Sequence, residues 1–239
     1  GNEYVWVVVP RTTSVYKTTG LGKITFTDAD YTSIEKDLKD YTSIYRGSTK
    51  YSDTWYYDTK NEGWLTETEY NTLKKDMLKS VYENGGFYVG RYEAGIGTNR
   101  TSIEAQVNGK YPVPTTTVSK ADTYPYTYVT RTQAQNLANN VNSGSRTSSL
   151  MFGLQWDLVL AFMSKDTAKV TLTSILTSNS TTIGNYYNNL WTIKNAKAQY
   201  LSSGKFVQCP NPFQKTSDSS ILLTTGADSS FSVQNIYDI

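Results

Sequence analysis

Runs of apolar and polar residues change period several times along the chain, and each period predicts a different element. Tyr4-Val5-Trp6-Val7-Val8-Val9 is dense in β-branched and aromatic side chains and stops at Pro10, which predicts a strand. Gly22-Lys23-Ile24-Thr25-Phe26 alternates polar and apolar ahead of Asp28-Ala29-Asp30, which reads as a turn. That alternation predicts a second strand, able to pair with the first as a hairpin. Gly86-Phe87-Tyr88-Val89-Gly90-Arg91-Tyr92-Glu93 reads as a buried strand.

Three segments carry a capping box, in which a Thr side chain and a Glu or Gln three residues later satisfy each other's free backbone donors. They are Thr32 with Glu35, Thr66 with Glu69, and Thr130 with Gln133. The first opens a stripe of Ile34, Leu38, Tyr41 and Tyr45. The second opens Tyr70, Leu73, Met77 and Val81 and closes at Gly85-Gly86, and the third presents Ala134, Leu137, Ala138 and Val141. All three are expected to be amphipathic helices lying on a core. Residues 154–163 form a fourth expected helix, with Leu154, Leu158, Ala161 and Phe162 on one side.

Between these elements the signal weakens. Residues 53–64 hold Trp55, Tyr56, Tyr57 and Trp64 among polar residues, as a strand-turn insertion or an exposed aromatic loop. Residues 96–128 carry Pro112, Pro114 and Pro125 and few apolar residues, and read mostly as loop. From 171 to 218 the chain is rich in Asn, Ser and Thr; only Trp191-Thr192-Ile193 and Lys205-Phe206-Val207 look strand-like. No internal repeat is evident.

Composition then narrows the chemistry. The 239 residues include no histidine, one cysteine, 20 tyrosines and five tryptophans. Without histidine there is no Ser-His-Asp triad, no Cys-His pair, and no His-ligated zinc or iron site. Tyr and Trp are the residues that binding surfaces favour, since a rigid ring covers a large area and ends in a polar handle. Cys209 has no second thiol with which to form an internal disulfide and is read as inert. The net charge of +2 comes from 23 basic and 21 acidic residues without long blocks, so nucleic acid is not an expected partner. No apolar run approaches a membrane span. A start at Gly1-Asn2-Glu3 fits a processed or excised chain. The Thr-, Ser-, Asn- and Tyr-rich composition resembles that of bacterial surface and virion proteins.

The candidate sites are few. Asp28, Asp30 and Asp37, and Glu67, Glu69 and Asp76, are read as helix-start carboxylates that cap and complement the helix dipole, in preference to metal or acid-base clusters. Asp28-Ala29-Asp30 has the opening spacing of a calcium loop but lacks its later glycine and glutamate. The glycines from Gly90 to Gly97 follow no phosphate-cradling order. Tyr186, Tyr187 and Trp191 with Asn185, Asn188 and Asn189 make an aromatic and amide cluster suited to stacking on a sugar ring and hydrogen-bonding its hydroxyls. Trp55, Tyr56 and Tyr57 make a second such group. For any single member, packing within an ordinary loop is the simpler account.

Five phrases, in order, carry a resemblance. They are Tyr4-Val5-Trp6-Val7-Val8-Val9-Pro10-Arg11; Gly86-Phe87-Tyr88-Val89-Gly90-Arg91-Tyr92-Glu93-Ala94-Gly95; Val129-Thr130-Arg131-Thr132-Gln133-Ala134; Ser148-Ser149-Leu150-Met151-Phe152-Gly153-Leu154-Gln155-Trp156-Asp157; and Leu222-Leu223-Thr224-Thr225-Gly226-Ala227 with Asn235-Ile236-Tyr237-Asp238-Ile239. Together the chain resembles the formylglycine-generating-enzyme-like (sulfatase-modifying factor) domain, a variant of the C-type lectin fold, in the form found in Firmicutes surface and prophage proteins. The resemblance implies an α+β fold, with two main helices packed on a twisted, mostly antiparallel sheet. The Phe87–Glu93 strand would precede the Thr130 helix, and Gln155-Trp156-Asp157 would match the family's second helix. An insertion begins at Thr32, runs through Trp64 and, with its helix, reaches about residue 85.

In that family the Asn-Ile-Tyr-Asp-Ile phrase is followed by a core strand and calcium-ligating positions, so residues 1–239 are expected to be one incomplete lectin-like domain. The absent strand is expected to be cut off, disordered or donated by another chain. Calcium belongs to the complete family domain; no cofactor is expected in this chain. The family's catalytic cysteine pair lies further on, and the histidine ligands of its iron relatives have no counterpart here. The resemblance therefore implies a non-enzymatic recognition domain, for adhesion or receptor binding, on a bacterial surface or phage particle, with a protein or carbohydrate ligand. Diversity-generating retroelements rewrite the C-terminal ligand-binding segment of some relatives. The alternatives are a structural virion or appendage subunit, and a truncated formylglycine-generating-type oxidase.

Overall fold

The computed structural model describes residues 1–46, 65–96, 116–126, 129, 131–141, 146–172, 192–193, 199–202, 205–208, 213–214 and 223–238. The helices are α1 (Asp28–Tyr41), α2 (Ser43–Arg46), α3 (Glu67–Asn84), α4 (Arg131–Asn139) and α5 (Gly153–Met163). The strands are β1 (Tyr4–Val8), β2 (Gly86–Gly90), β3 (Gly95–Ile96), β4 (Thr117–Val118), β5 (Tyr124–Pro125) and β6 (Thr192–Ile193), then β7 (Gln199–Ser202), β8 (Lys205–Gln208), β9 (Phe213–Gln214), β10 (Ser232–Val233) and β11 (Ile236–Tyr237). This is a mixed helix and strand protein whose sheets are small and antiparallel. Its chain divides into two compact units, one of residues 6–89 and 151–176, the other of 1–5, 90–150 and 177–239.

In the unit of residues 6–89 and 151–176, helices enclose the core. The Thr66 box forms as the sequence predicts: Thr66 Oγ1 accepts from Glu69 N–H, and Gly85 ends α3 in the left-handed region at φ 75°. The first helix differs. It starts four residues before Thr32, capped by Thr27 in a reciprocal box with Asp30, and Thr32 Oγ1 merely donates back to the Asp28 carbonyl. Ile34 and Leu38 of α1 are buried as their stripe implies, and α3 buries Met77 and Val81 of the expected stripe together with Leu78 and Tyr82, which lie outside it, while Tyr70 and Leu73 are only half-buried. Each buried side chain contributes about 1.5–3 kcal/mol of burial. Tyr45, expected on the first helix, belongs to α2.

No second strand forms at 22–26; β1 pairs with β2 instead. Two reasons are visible. Gly20 and Gly22 adopt positive φ, and the backbone of this stretch is tied to α3, where the Tyr82 hydroxyl accepts from Lys23 N–H at 3.1 Å and donates to Gly20 O at 3.0 Å. Ile24 is 87% exposed, while Phe26 turns back onto Tyr82 with ring centroids 5.5 Å apart. Asp37 departs too from its expected helix-start role. It is buried inside α1 and accepts from the backbone of Thr18 and Thr19 at 2.8–3.1 Å, which pins the loop before the helix.

Helix α5 lacks the one-sided stripe expected of it. Leu154, Leu158, Val159, Leu160, Ala161 and Met163 are all buried, whereas Phe162 is only half-buried beneath the Lys165 ammonium. A helix apolar on nearly every side is an interior helix.

In the other unit, β3 lies between β4 and β5, β6 pairs with β9, β7 with β8, and β10 with β11. The strand-like signals at 191–193 and 205–207 emerge as β6 and β8; β7 and β9 gave no such signal. β4 and β5 fall in the stretch read as loop. Leu223, Ala227, Phe231, Val233 and Ile236 form the core of its last segment. Backbone bonds sew distant stretches together: Glu3 N–H to Ser119 O, Arg91 N–H to Glu3 O, and Tyr237 N–H to Arg91 O, at 2.8–3.0 Å.

Candidate functional site

Tyr186, Tyr187, Trp191, Asn185 and Asn188, together with Trp55, Tyr56 and Tyr57, lie outside the described residues, as does Cys209. Two other places draw attention.

The first is the outer face of the β1–β2 ribbon. Strand alternation sends Val5, Val7 and Val9 one way and Tyr4, Trp6 and Val8 the other. Val7 and Val9 are buried, while Tyr4 and Val8 are each 45% exposed, so the sequence's apolar run is two-faced. On β2 the same logic buries Phe87 and leaves Tyr88 65% exposed, which corrects the reading of a strand buried throughout. Trp6 and Tyr88 meet edge to face with centroids 4.8 Å apart. Gly86 makes room for this pair. A Cβ there would lie 2.8 Å from the Trp6 ring and closer still to the Val7 carbonyl, so a side chain at 86 would push the indole aside. The result is a solvent-facing Tyr88 packed edge to face on a half-buried Trp6.

A second cluster builds on Arg91. Its Nη1 lies 3.0 Å from Glu3 Oε2, and the guanidinium carbon sits 5.7 Å and 5.6 Å from the centroids of Tyr92 and Tyr237. Those rings pack against each other with centroids 4.9 Å apart. Burial pulls the guanidinium pKa down, but the tyrosines and Glu3 carry it above its usual value; burial also raises the Tyr92 phenol. Asp238 follows, its Oδ2 accepting from Gly226 N–H at 2.7 Å. The left-handed non-glycine residues Asp122, Gln234, Asn235 and Asp238 all belong to this unit. A charge fixed by rings and an ion pair organises backbone here, with Arg91 Nε buried and without a hydrogen-bond partner among the described residues.

Elsewhere the carboxylates do structural work. Asp30, held down to about 2 by Lys23 and the Thr27 donors, and Glu69, held low by Thr66, are capping groups as the sequence implied. Asp157, buried in α5, accepts from Arg46. Among the described residues, no three Cys, Asp or Glu side chains gather to hold a metal ion, and no helix is long and apolar enough to cross a membrane. No family model, curated protein or solved structure matches this chain.

The β1–β2 face escaped the sequence reading, although its signal was present. Tyr4, Trp6 and Val8 recur at period two within a run that is apolar on both faces, and density hid the alternation.

Proposed function

We propose that this chain is a non-enzymatic recognition domain with a lectin-like scaffold, exposed on a bacterial surface or phage particle. Its ligand is a carbohydrate or protein that offers a flat apolar surface. The observation carrying this reading is the exposed Tyr88 ring set edge to face on the half-buried Trp6, with Gly86 leaving room for the indole. A rigid aromatic ring such as Tyr88 that remains in water, backed by a packed indole, is what a binding surface uses, because little entropy is lost on contact. The order of the five sequence phrases supports the scaffold, and the lack of histidine in these residues supports recognition over turnover.

The test is a glycan and protein-ligand binding screen of the 239-residue chain, repeated with Trp6→Ala and Tyr88→Ala. Both variants are expected to fold, by circular dichroism, and to lose at least about tenfold in affinity for the ligand found. Unchanged affinity in both variants would move the site away from this face. Substrate turnover by the isolated chain would overturn the recognition class itself.

A further inference from the structure

Asp238 directly follows β11, with a left-handed backbone at φ 63°. One carboxyl oxygen accepts from Gly226 N–H at 2.7 Å, while Oδ1 is shielded from solvent and has no hydrogen-bond partner among the described residues. The residue as a whole is half-buried; its carboxyl is the sealed part. Gly226 is equally constrained. Its φ is 62°, and a Cβ would stand 2.5 Å from the Tyr92 ring, so the donor is pressed into place against Asp238.

A carboxylate sealed with a single N–H donor is costly, whereas a neutral carboxyl keeps that bond and avoids the buried charge. The charged and titratable groups around it are Arg91, Glu3, Tyr92 and Tyr237, with Lys120 and Asp122 on the neighbouring loop and Asp228 on the turn. None rescues the charge. Arg91 spends Nη1 on Glu3 and packs against two ring faces, its buried Nε stays without a hydrogen-bond partner, and Asp238 forms no ion pair, among the described residues.

We propose that Asp238 is an acid-held latch: protonated, it locks the turn around Gly226 onto the end of β11, and ionised, it lets that turn open. Burial pushes its carboxyl up to about 7, which places the change near neutrality. Because the folded value lies above the unfolded one, the stabilisation is complete below the ordinary aspartate range, about pH 4, and is lost as pH rises through about 7. This is independent of the aromatic face on β1–β2.

Two measurements on the 239-residue chain decide it. In carbon-detected NMR, the Asp238 carboxyl is expected to titrate between about pH 6 and 8; titration in the ordinary aspartate range, near 4, overturns the latch. In hydrogen exchange, protection of the Gly226 amide is expected to fall about tenfold or more between about pH 5 and 8, after correction for intrinsic exchange, and Asp238→Asn is expected to abolish that fall. An equal fall in Asp238→Asn and wild type also overturns it. Should the variant not fold, the wild-type carboxyl titration decides alone.

Discussion

Arg46 Nε donates to Asp157 Oδ2 across 2.7 Å, and the carboxylate it meets is only 3% exposed while the guanidinium is 21% exposed. Next to it the Tyr45 hydroxyl and Ser164 Oγ lie 2.6 Å apart, so α2, with no buried residue of its own, is held on α5 by polar contacts. Arg46→Ala removes this cation from beside a sealed carboxylate. Urea denaturation is expected to show a loss of about 3 kcal/mol. Arg46→Met with Asp157→Leu is expected to regain much of it, since a well-packed apolar pair replaces a desolvated one.

The start of α1 can be read by mutation. Thr27→Ala deletes an observed cap and is expected to cost about 1 kcal/mol, whereas Thr32→Ala removes only a bond to the preceding turn and is expected to change stability by less than about 0.5 kcal/mol. Equal losses in thermal or urea unfolding would contradict this assignment.

Asp37 carries a pH signature of opposite sign to that of Asp238. Burial raises its carboxyl, but donation from the Thr19 and Thr18 backbones outweighs that and holds it below the usual carboxylate value. Its stabilisation is therefore present above the ordinary aspartate pKa and disappears as pH falls through the lower, folded value. Asp37→Ala is expected to cost about 2 kcal/mol at pH 7, together with the acid-limb slope of stability against pH. A variant that keeps that slope would show it arises elsewhere.

Gly86→Ala tests the aromatic face from beneath. The added carbon meets the Val7 carbonyl, which is backbone and cannot step aside, as well as the Trp6 ring. A loss of about 2 kcal/mol or more in unfolding free energy is expected, with a change in near-ultraviolet circular dichroism as the indole is displaced. Gly20→Ala supplies the comparison: it has open space around its Cβ and only a positive φ to strain, so a loss without the spectral change is expected.

What the sequence made legible was local. Thr66 with Glu69 and the glycine at 85 define α3 completely, because a cap and a stop need only neighbours. At α1 two boxes competed, and the one with the customary glutamate lost to Thr27 with Asp30, whose shorter carboxylate serves equally well. The strand expected at 22–26 failed because alternation cannot report that Tyr82, far along the chain, claims that backbone. The β1–β2 pairing was invisible for the same reason: the intervening helices separate partners that only tertiary structure joins. Of the candidate binding residues, the clusters at 55–57 and 185–191 lie outside the described residues. Trp6 and Tyr88 lay within strands read from the sequence, but the exposure of Tyr88 follows from which face found a core.

β1 and β2 each cross from one compact unit into the other, near residues 5 and 90, and the first unit resumes only at 151. Neither unit is therefore a continuous stretch of gene. A clone ending at 89 would deprive α1, α2 and α3 of α5, and no single recombination breakpoint could transplant either half intact. Any lineage that diversifies this protein is expected to do so by point changes on a retained frame and not by shuffling modules.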